Sequence, residues 1–151
     1  MLKEIYRPAV FAVVYFRENE KNFYLLLKRK LHWRGWEFPK GGMKKGENEI
    51  QAVQRELKEE TGLNVVGEIK KFPVSGKYKY DKKYPDRRGI TGQTYSLYAV
   101  GVKKLPSKIK LDKKEHEGYE FAEFGDALKK LTWSNQRRCL TFVNNWLNKN
   151  E

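Results

Sequence analysis

Glu56, Glu59 and Glu60 recur at i, i+3 and i+4, a spacing that converges three carboxylates on one face of a helix. Carboxylates this close repel one another unless a cation neutralises them. Hard oxygen ligands without His or Cys suit Mg2+ or Mn2+, ions that also bind phosphate oxygens. Phosphate chemistry through bound divalent ions is thus what these residue types can do. In a chain with 34% charged residues, an acidic helix face by itself is ordinarily a solvated surface. The surrounding run, GGMKKGENEIQAVQRELKEETGL, holds more than that. Gly41 is followed after five residues by Glu47, and seven residues later come Arg55-Glu56-Leu57, then Glu59-Glu60 and Gly62-Leu63.

These residues satisfy every fixed position of G-x5-E-x7-R-E-U-x-E-E-x-G-U, where U is a bulky apolar residue. The chain therefore resembles the Nudix hydrolases, which use divalent metal ions to cleave nucleoside diphosphates linked to another group. The resemblance implies that Glu56, Glu59 and Glu60 bind metal, with Glu56 also a candidate base for the attacking water. It implies that Arg55 and Glu47 brace the loop against the helix, and that the carbonyl of Gly41 or Lys40 adds a metal ligand. It implies substitution at phosphorus by water, without a covalent intermediate, on an α/β/α sandwich around a central mixed β-sheet.

Substrate choice lies outside that segment. Trp36-Glu37-Phe38-Pro39-Lys40-Gly41-Gly42 resembles the opening found in diadenosine polyphosphate hydrolases and RNA 5′-pyrophosphohydrolases. Glu115-His116-Glu117 resembles a late segment of the diadenosine tetraphosphate enzymes that supplies another acidic group near the metals. Glu117 or Glu115 would fill that role, and His116 either contacts phosphate or belongs to an exposed charged turn. Gly92-Gln93 is similar to the RNA-acting branch, whereas Thr94-Tyr95-Ser96 and Lys40 depart from it. Lys28, Arg29 and Lys30 end a strand that points into the cleft in this family, which implies that one or two of them contact phosphate. Between Lys70 and Arg88, basic residues alternate with Tyr78, Tyr80 and Tyr84, so the segment is either a solvated loop or a place where tyrosines stack on a base while lysines grip phosphate. The first expectation is a dinucleoside polyphosphate of the diadenosine tetraphosphate type. Its rivals are the 5′ end of an RNA, a damaged nucleoside triphosphate, and a nucleotide or RNA sensor without turnover.

The elements that must position these groups follow from periodicity. Asn48 is an N-cap with Glu49 in the first turn, and Gly62 stands where a left-handed C-cap belongs, enclosing a helix of roughly four turns. Ile50, Val53 and Leu57 form its buried stripe, and Ala52 leaves space beside the carboxylates. Ala9 to Phe16 predicts a strand buried on both faces, followed by a turn over Glu18 to Lys21 and a second strand over Asn22 to Arg29. Trp33 to Gly42 reads as a loop. Further strands are expected over Asn64 to Phe72, Ile90 to Val102 and Glu120 to Phe124. Helices are expected over Phe124 to Leu131 and from Ser134 through Leu147, with Cys139, Leu140, Val143 and Trp146 on an apolar side.

A chain of 151 residues, 39% hydrophobic and 14% aromatic, fits one catalytic domain spanning 1–151. It has no run long enough for a membrane span, no signal-peptide stretch, and a single cysteine that cannot form an internal disulfide; all of this suits a reducing cytoplasm. The net charge of +13 favours polyanionic partners without naming one. The oligomeric state is not encoded in any feature above.

Overall fold

A computed structural model of the chain describes residues 3–64 and 68–149. The run AVFAVVYF lies in β1 (Tyr6–Glu18), and its alternate residues feed two separate cores, as an apolar run buried on both faces requires. Phe11 and Val13 enter one core; Val10, Ala12 and Val14 enter the other. Around β1 assemble β2 (Lys21–Arg29), β3 (Gly35–Glu37), β4 (Lys40–Gly42), β5 (Ile69–Lys79), β6 (Gly92–Val102) and β7 (His116–Glu123). They form a seven-stranded sheet with the path β3-β2-β1-β6-β5, to which β4 adds against β1 and β7 against β2. β1 and β6 run parallel while β1 and β2 run antiparallel, so the sheet is mixed.

One helix, α1 (Glu49–Thr61), packs its Ala52, Val53 and Leu57 on one face of the sheet. Two more, α2 (Phe124–Lys130) and α3 (Ser134–Lys149), close the other face with Ala127, Cys139, Leu140 and Val143. The layers are therefore α/β/α. No helix among the described residues is long and apolar enough to cross a membrane.

α1 is held at both ends by its sequence. The Asn48 side chain accepts from the Gln51 amide at 2.8 Å, and the Gln51 side chain accepts from the Asn48 amide at 3.0 Å. Gly62 closes the helix at φ 77°, where a Cβ would be strained. Of the predicted buried stripe, Val53 and Leu57 are buried as expected and Ile50 is not. Ile50 is 40% exposed, because Glu49 faces the sheet and accepts from Ser96 and Tyr98, which turns Ile50 about 100° away. Ala52, expected beside the carboxylates, is buried in the core.

Other boundaries also differ from expectation, and the strand expected over Glu120 to Phe124 begins earlier, at His116. The presumed loop over Trp33 to Gly42 contains β3 and β4, separated by Phe38 and Pro39. The strand expected over Asn64 to Phe72 begins at Ile69, and residues 65–67 of that span lie outside the described residues. It then continues to Lys79, so half of the segment from Lys70 to Arg88 is strand. β5 is the terminal strand of the path, where Pro73 costs no ladder bond to a further neighbour.

Candidate active site

Where the C-terminal half of α1 meets β4, the carboxylates gather. Arg55 organises them. Its Nε donates to Glu47 Oε2 at 2.6 Å, and its Nη2 donates to Glu47 Oε1 and to the Gly42 carbonyl, each at 2.9 Å. Nη1 donates to Glu56 Oε1 at 2.8 Å and to Glu59 Oε2 at 3.2 Å. The loop, the helix and three acidic side chains are thereby tied to one guanidinium. Hydrogen bonding by Arg55 holds the Glu47 carboxyl at about 2.

The other carboxylates move the opposite way. Burial raises Glu56 despite the neighbouring Arg55. Burial also pushes Glu60, only 2% exposed, well above the carboxylate range, and the charges of Glu37, Glu56 and Glu115 add to it. The Lys40 amide donates to Glu60 Oε2 at 3.2 Å, which fixes this side chain against β4. Glu59 is exposed at the rim. At Gly41 a Cβ would come within 2.0 Å of the Glu56 carboxyl carbon, so only glycine lets the helix carboxylate approach this loop. A crowded, mutually repelling set of oxygen donors beside bare backbone fits a divalent cation. Glu56, Glu59, Glu60, Glu115 and the Gly41 carbonyl are the oxygen groups that could hold one.

These residues line a cleft of about 290 Å3, whose walls also carry Arg7, Arg29, Lys40, Arg87 and Gln93. A second cavity of about 310 Å3 adjoins it, walled by Phe11, Tyr78, Tyr80, Tyr84 and Tyr95. Lys40 and Arg87 line both. Phe11 and Tyr95 stack with centroids 4.2 Å apart, and the Arg87 guanidinium lies 4.5 Å from the Tyr80 ring. In the same cavity wall, Tyr80 Oη and Asn135 Oδ1 are buried without a hydrogen-bond partner.

Beneath the acidic cleft lies a buried polar network. Glu37 is fully buried; its Oε2 accepts from Arg29 Nη1 at 3.0 Å and lies 2.7 Å from His116 Nε2. Lys40 Nζ is 3.7 Å from Glu37 Oε1 and donates to the Tyr78 hydroxyl at 3.2 Å. Burial alone would raise Glu37, but the charge of Lys40, the hydrogen bond from His116 and the charge of Arg29 hold it at about 2.

Of the residues singled out from sequence, Glu56, Glu59, Glu60, Arg55, Gly41, Lys40 and Arg29 meet at the acidic cleft, and Tyr78 and Tyr80 wall the aromatic cavity. His116 is buried at the network below, neither in an exposed turn nor at the open cleft. Lys28 and Glu117 lie elsewhere. They pair with each other at 3.8 Å, and Arg34 pairs with Glu117 at 3.2 Å. Alternation along a strand explains this: Arg29 and His116 point inward, so their neighbours Lys28 and Glu117 point out. Glu115, in the turn before β7, is the late-segment carboxylate that faces the cleft. Glu37, Arg7, Arg87 and Asn135 were missed from sequence. Glu37 stands within the WEFPKGG motif and Arg87 within the basic, tyrosine-rich segment from Lys70 to Arg88, while Arg7 and Asn135 carry no local signal and reach the site only through the fold.

A family model described as NUDIX domain matches residues 5–142. The RNA pyrophosphohydrolase of a Nitratiruptor species is 35% identical over 137 residues, 88% of this chain and 88% of that protein. The RNA pyrophosphohydrolase of Helicobacter pylori (strain G27) is 29% identical over 135 residues, covering 87% and 86%. Among solved structures, a C. elegans Ap4A hydrolase binary complex superposes with a TM-score of 0.72 at 24% identity, covering 95% of this chain and 98% of that one. The E. coli dihydroneopterin triphosphate pyrophosphohydrolase gives 0.76 at 21% identity, covering 94% and 99%. At these identities the structural likeness is one of fold.

Proposed function

Because this chain belongs to the NUDIX domain family of hydrolases, we propose that it is a metal-dependent pyrophosphohydrolase acting on the 5′-polyphosphate end of RNA. One observation carries the reading: the acidic cleft and the aromatic cavity adjoin, with Lys40 and Arg87 in the wall of both. A 5′-terminal nucleotide can seat its base among the tyrosines and its phosphates among the carboxylates and cations. The relatives named RNA pyrophosphohydrolase support the RNA end as substrate, and a net charge of +13 suits a polyanion longer than a free nucleotide.

Glu56, Glu59, Glu60, Glu115 and the Gly41 carbonyl would hold Mg2+ or Mn2+. When bound, such an ion polarises phosphate oxygens and acidifies water. Arg55 occupies Glu56 Oε1, so Glu56 Oε2 remains to take the proton of the attacking water. Water oxygen bonds to phosphorus, the anhydride P–O bond breaks, and the leaving phosphate keeps the electron pair. Lys40, Arg7 and Arg87 offset phosphate charge, Arg29 supports the cleft through Glu37, and Tyr78 and Tyr80 flank the base. Arg55 acts by positioning Glu47, Glu56 and Glu59. The chain works as one unit, in a reducing cytoplasm where the buried thiol of Cys139 stays unpaired.

A dinucleoside polyphosphate such as diadenosine tetraphosphate is the second reading, favoured by the Glu115-His116-Glu117 segment. Turnover with Mg2+ or Mn2+ should be compared for 5′-triphosphorylated RNA, diadenosine tetraphosphate and free nucleoside triphosphates. RNA should give the highest kcat/KM, falling steeply as salt rises. Higher kcat/KM on the dinucleotide would favour the second reading, and binding without turnover on any substrate would mean a sensor.

A further inference from the structure

His116 is 1% exposed, and its Nδ1 is buried without a hydrogen-bond partner. The other ring nitrogen is committed. Nε2 lies 2.7 Å from Glu37 Oε2, an oxygen that already accepts from Arg29 Nη1 at 3.0 Å. A guanidinium can only donate, so this carboxylate is an acceptor and Nε2–H is the donor. In the neutral ring the lone pair then resides on Nδ1. One nitrogen of this ring and one oxygen from each of Glu60 and Glu115 lie within 4.8 Å of one another.

With Nε2 committed to Glu37, the unpartnered Nδ1 is the ring atom left to meet the Glu60 and Glu115 oxygens, and two carboxylates converging on it call for a cation. A carboxylate behind the ring, as Glu37 stands here, is the arrangement that fixes a metal-ligating imidazole and raises its basicity. Resting on the hydrolase reading for the role of the cleft, we propose that Glu60, Glu115 and Nδ1 of His116 form a mixed oxygen–nitrogen cation site. Its nitrogen donor selects Mn2+, or a related first-row transition ion, over Mg2+. Oxygen-only sites suit Mg2+, whereas imidazole favours the transition series. Glu37, with Arg29 behind it, is a positioning residue for that ligand, and this gives the buried network a purpose that sequence spacing of carboxylates could not supply.

Binding of Mn2+ alone to the full chain tests the site directly. Electron spin echo modulation of bound Mn2+ should show coupling to one imidazole nitrogen. His116→Gln should abolish that coupling and weaken Mn2+ affinity roughly 10- to 100-fold, with Mg2+ affinity little changed; Glu37→Gln should weaken Mn2+ in the same direction. Bound Mn2+ without nitrogen coupling would overturn the proposal, as would His116→Gln with an unaltered Mn2+-to-Mg2+ affinity ratio. The native spectrum decides even if a variant fails to fold. Mn2+-dependent hydrolysis without nitrogen coupling would sink the nitrogen site and leave the hydrolase standing; failure of the native chain to bind either ion would sink both.

Discussion

At the scale of single residues, the site divides its carboxylates by their surroundings. Glu47 gives both oxygens to Arg55 and is a brace. Glu56 gives one and keeps one, as the base role proposed for it would need. Glu56→Gln preserves size and the acceptor oxygen for Arg55 but cannot take a proton. It should lower kcat by about 10² or more with little change in Tm. Single-turnover hydrolysis of triphosphorylated RNA measures this, and a rate within about threefold of the native value would remove Glu56 from that role. Glu60 makes the complementary case. Its buried charge is opposed by Glu37, Glu56 and Glu115, so Glu60→Gln should raise the Tm of the protein in EDTA at neutral pH while abolishing turnover. A lower Tm in calorimetry would mean that the repulsion is already relieved within the chain.

At the scale of elements, α1 is the part whose placement matters most, and local chemistry sets its limits. The capping box at Asn48, the left-handed Gly62 and the i, i+3, i+4 glutamates could all be read along the chain, because each depends on residues within one or two turns. Gly62→Ala should cost about 1 kcal/mol, or roughly 2–4 °C in Tm, by forcing a Cβ into φ 77° and toward the Lys110 side chain. An unchanged Tm would show that the cap relaxes. The helix's rotation was less legible. Whether Ile50 or Glu49 faces the sheet depends on Ser96 and Tyr98, which come from a strand far along the chain. Similarly, Lys28 and Arg29 are equivalent as basic residues, and only the pleat of β2 decides which one reaches the cleft.

At the scale of the whole molecule, Glu37 joins β3 to β2 through Arg29 and to β7 through His116, and so ties three strands together beneath the site. Its folded-state carboxyl is depressed to about 2, below the ordinary carboxylate value. A depressed acid stabilises the fold above its unfolded pKa, and that contribution is lost as pH falls toward the folded value. Denaturant unfolding should therefore show stability declining from about pH 4.5 toward pH 2, with a shallower decline in Glu37→Gln over the same window. Equal slopes in the two proteins would show that Glu37 does not carry the acid sensitivity.

From sequence alone came the Nudix pattern, with the family's reaction implied by that resemblance, and the alternation of strands and helices and the carboxylate face of α1, which rest on short-range spacing and composition. The tertiary structure decided what spacing cannot reach. It turned Glu115 toward the cleft and Glu117 away, buried His116 on Glu37, and brought Arg7, Arg87 and Asn135 from distant segments to two adjoining cavities. The physical reason is that a strand's pleat and a sheet's neighbours fix side-chain direction, and both are settled by packing between segments far apart in the chain.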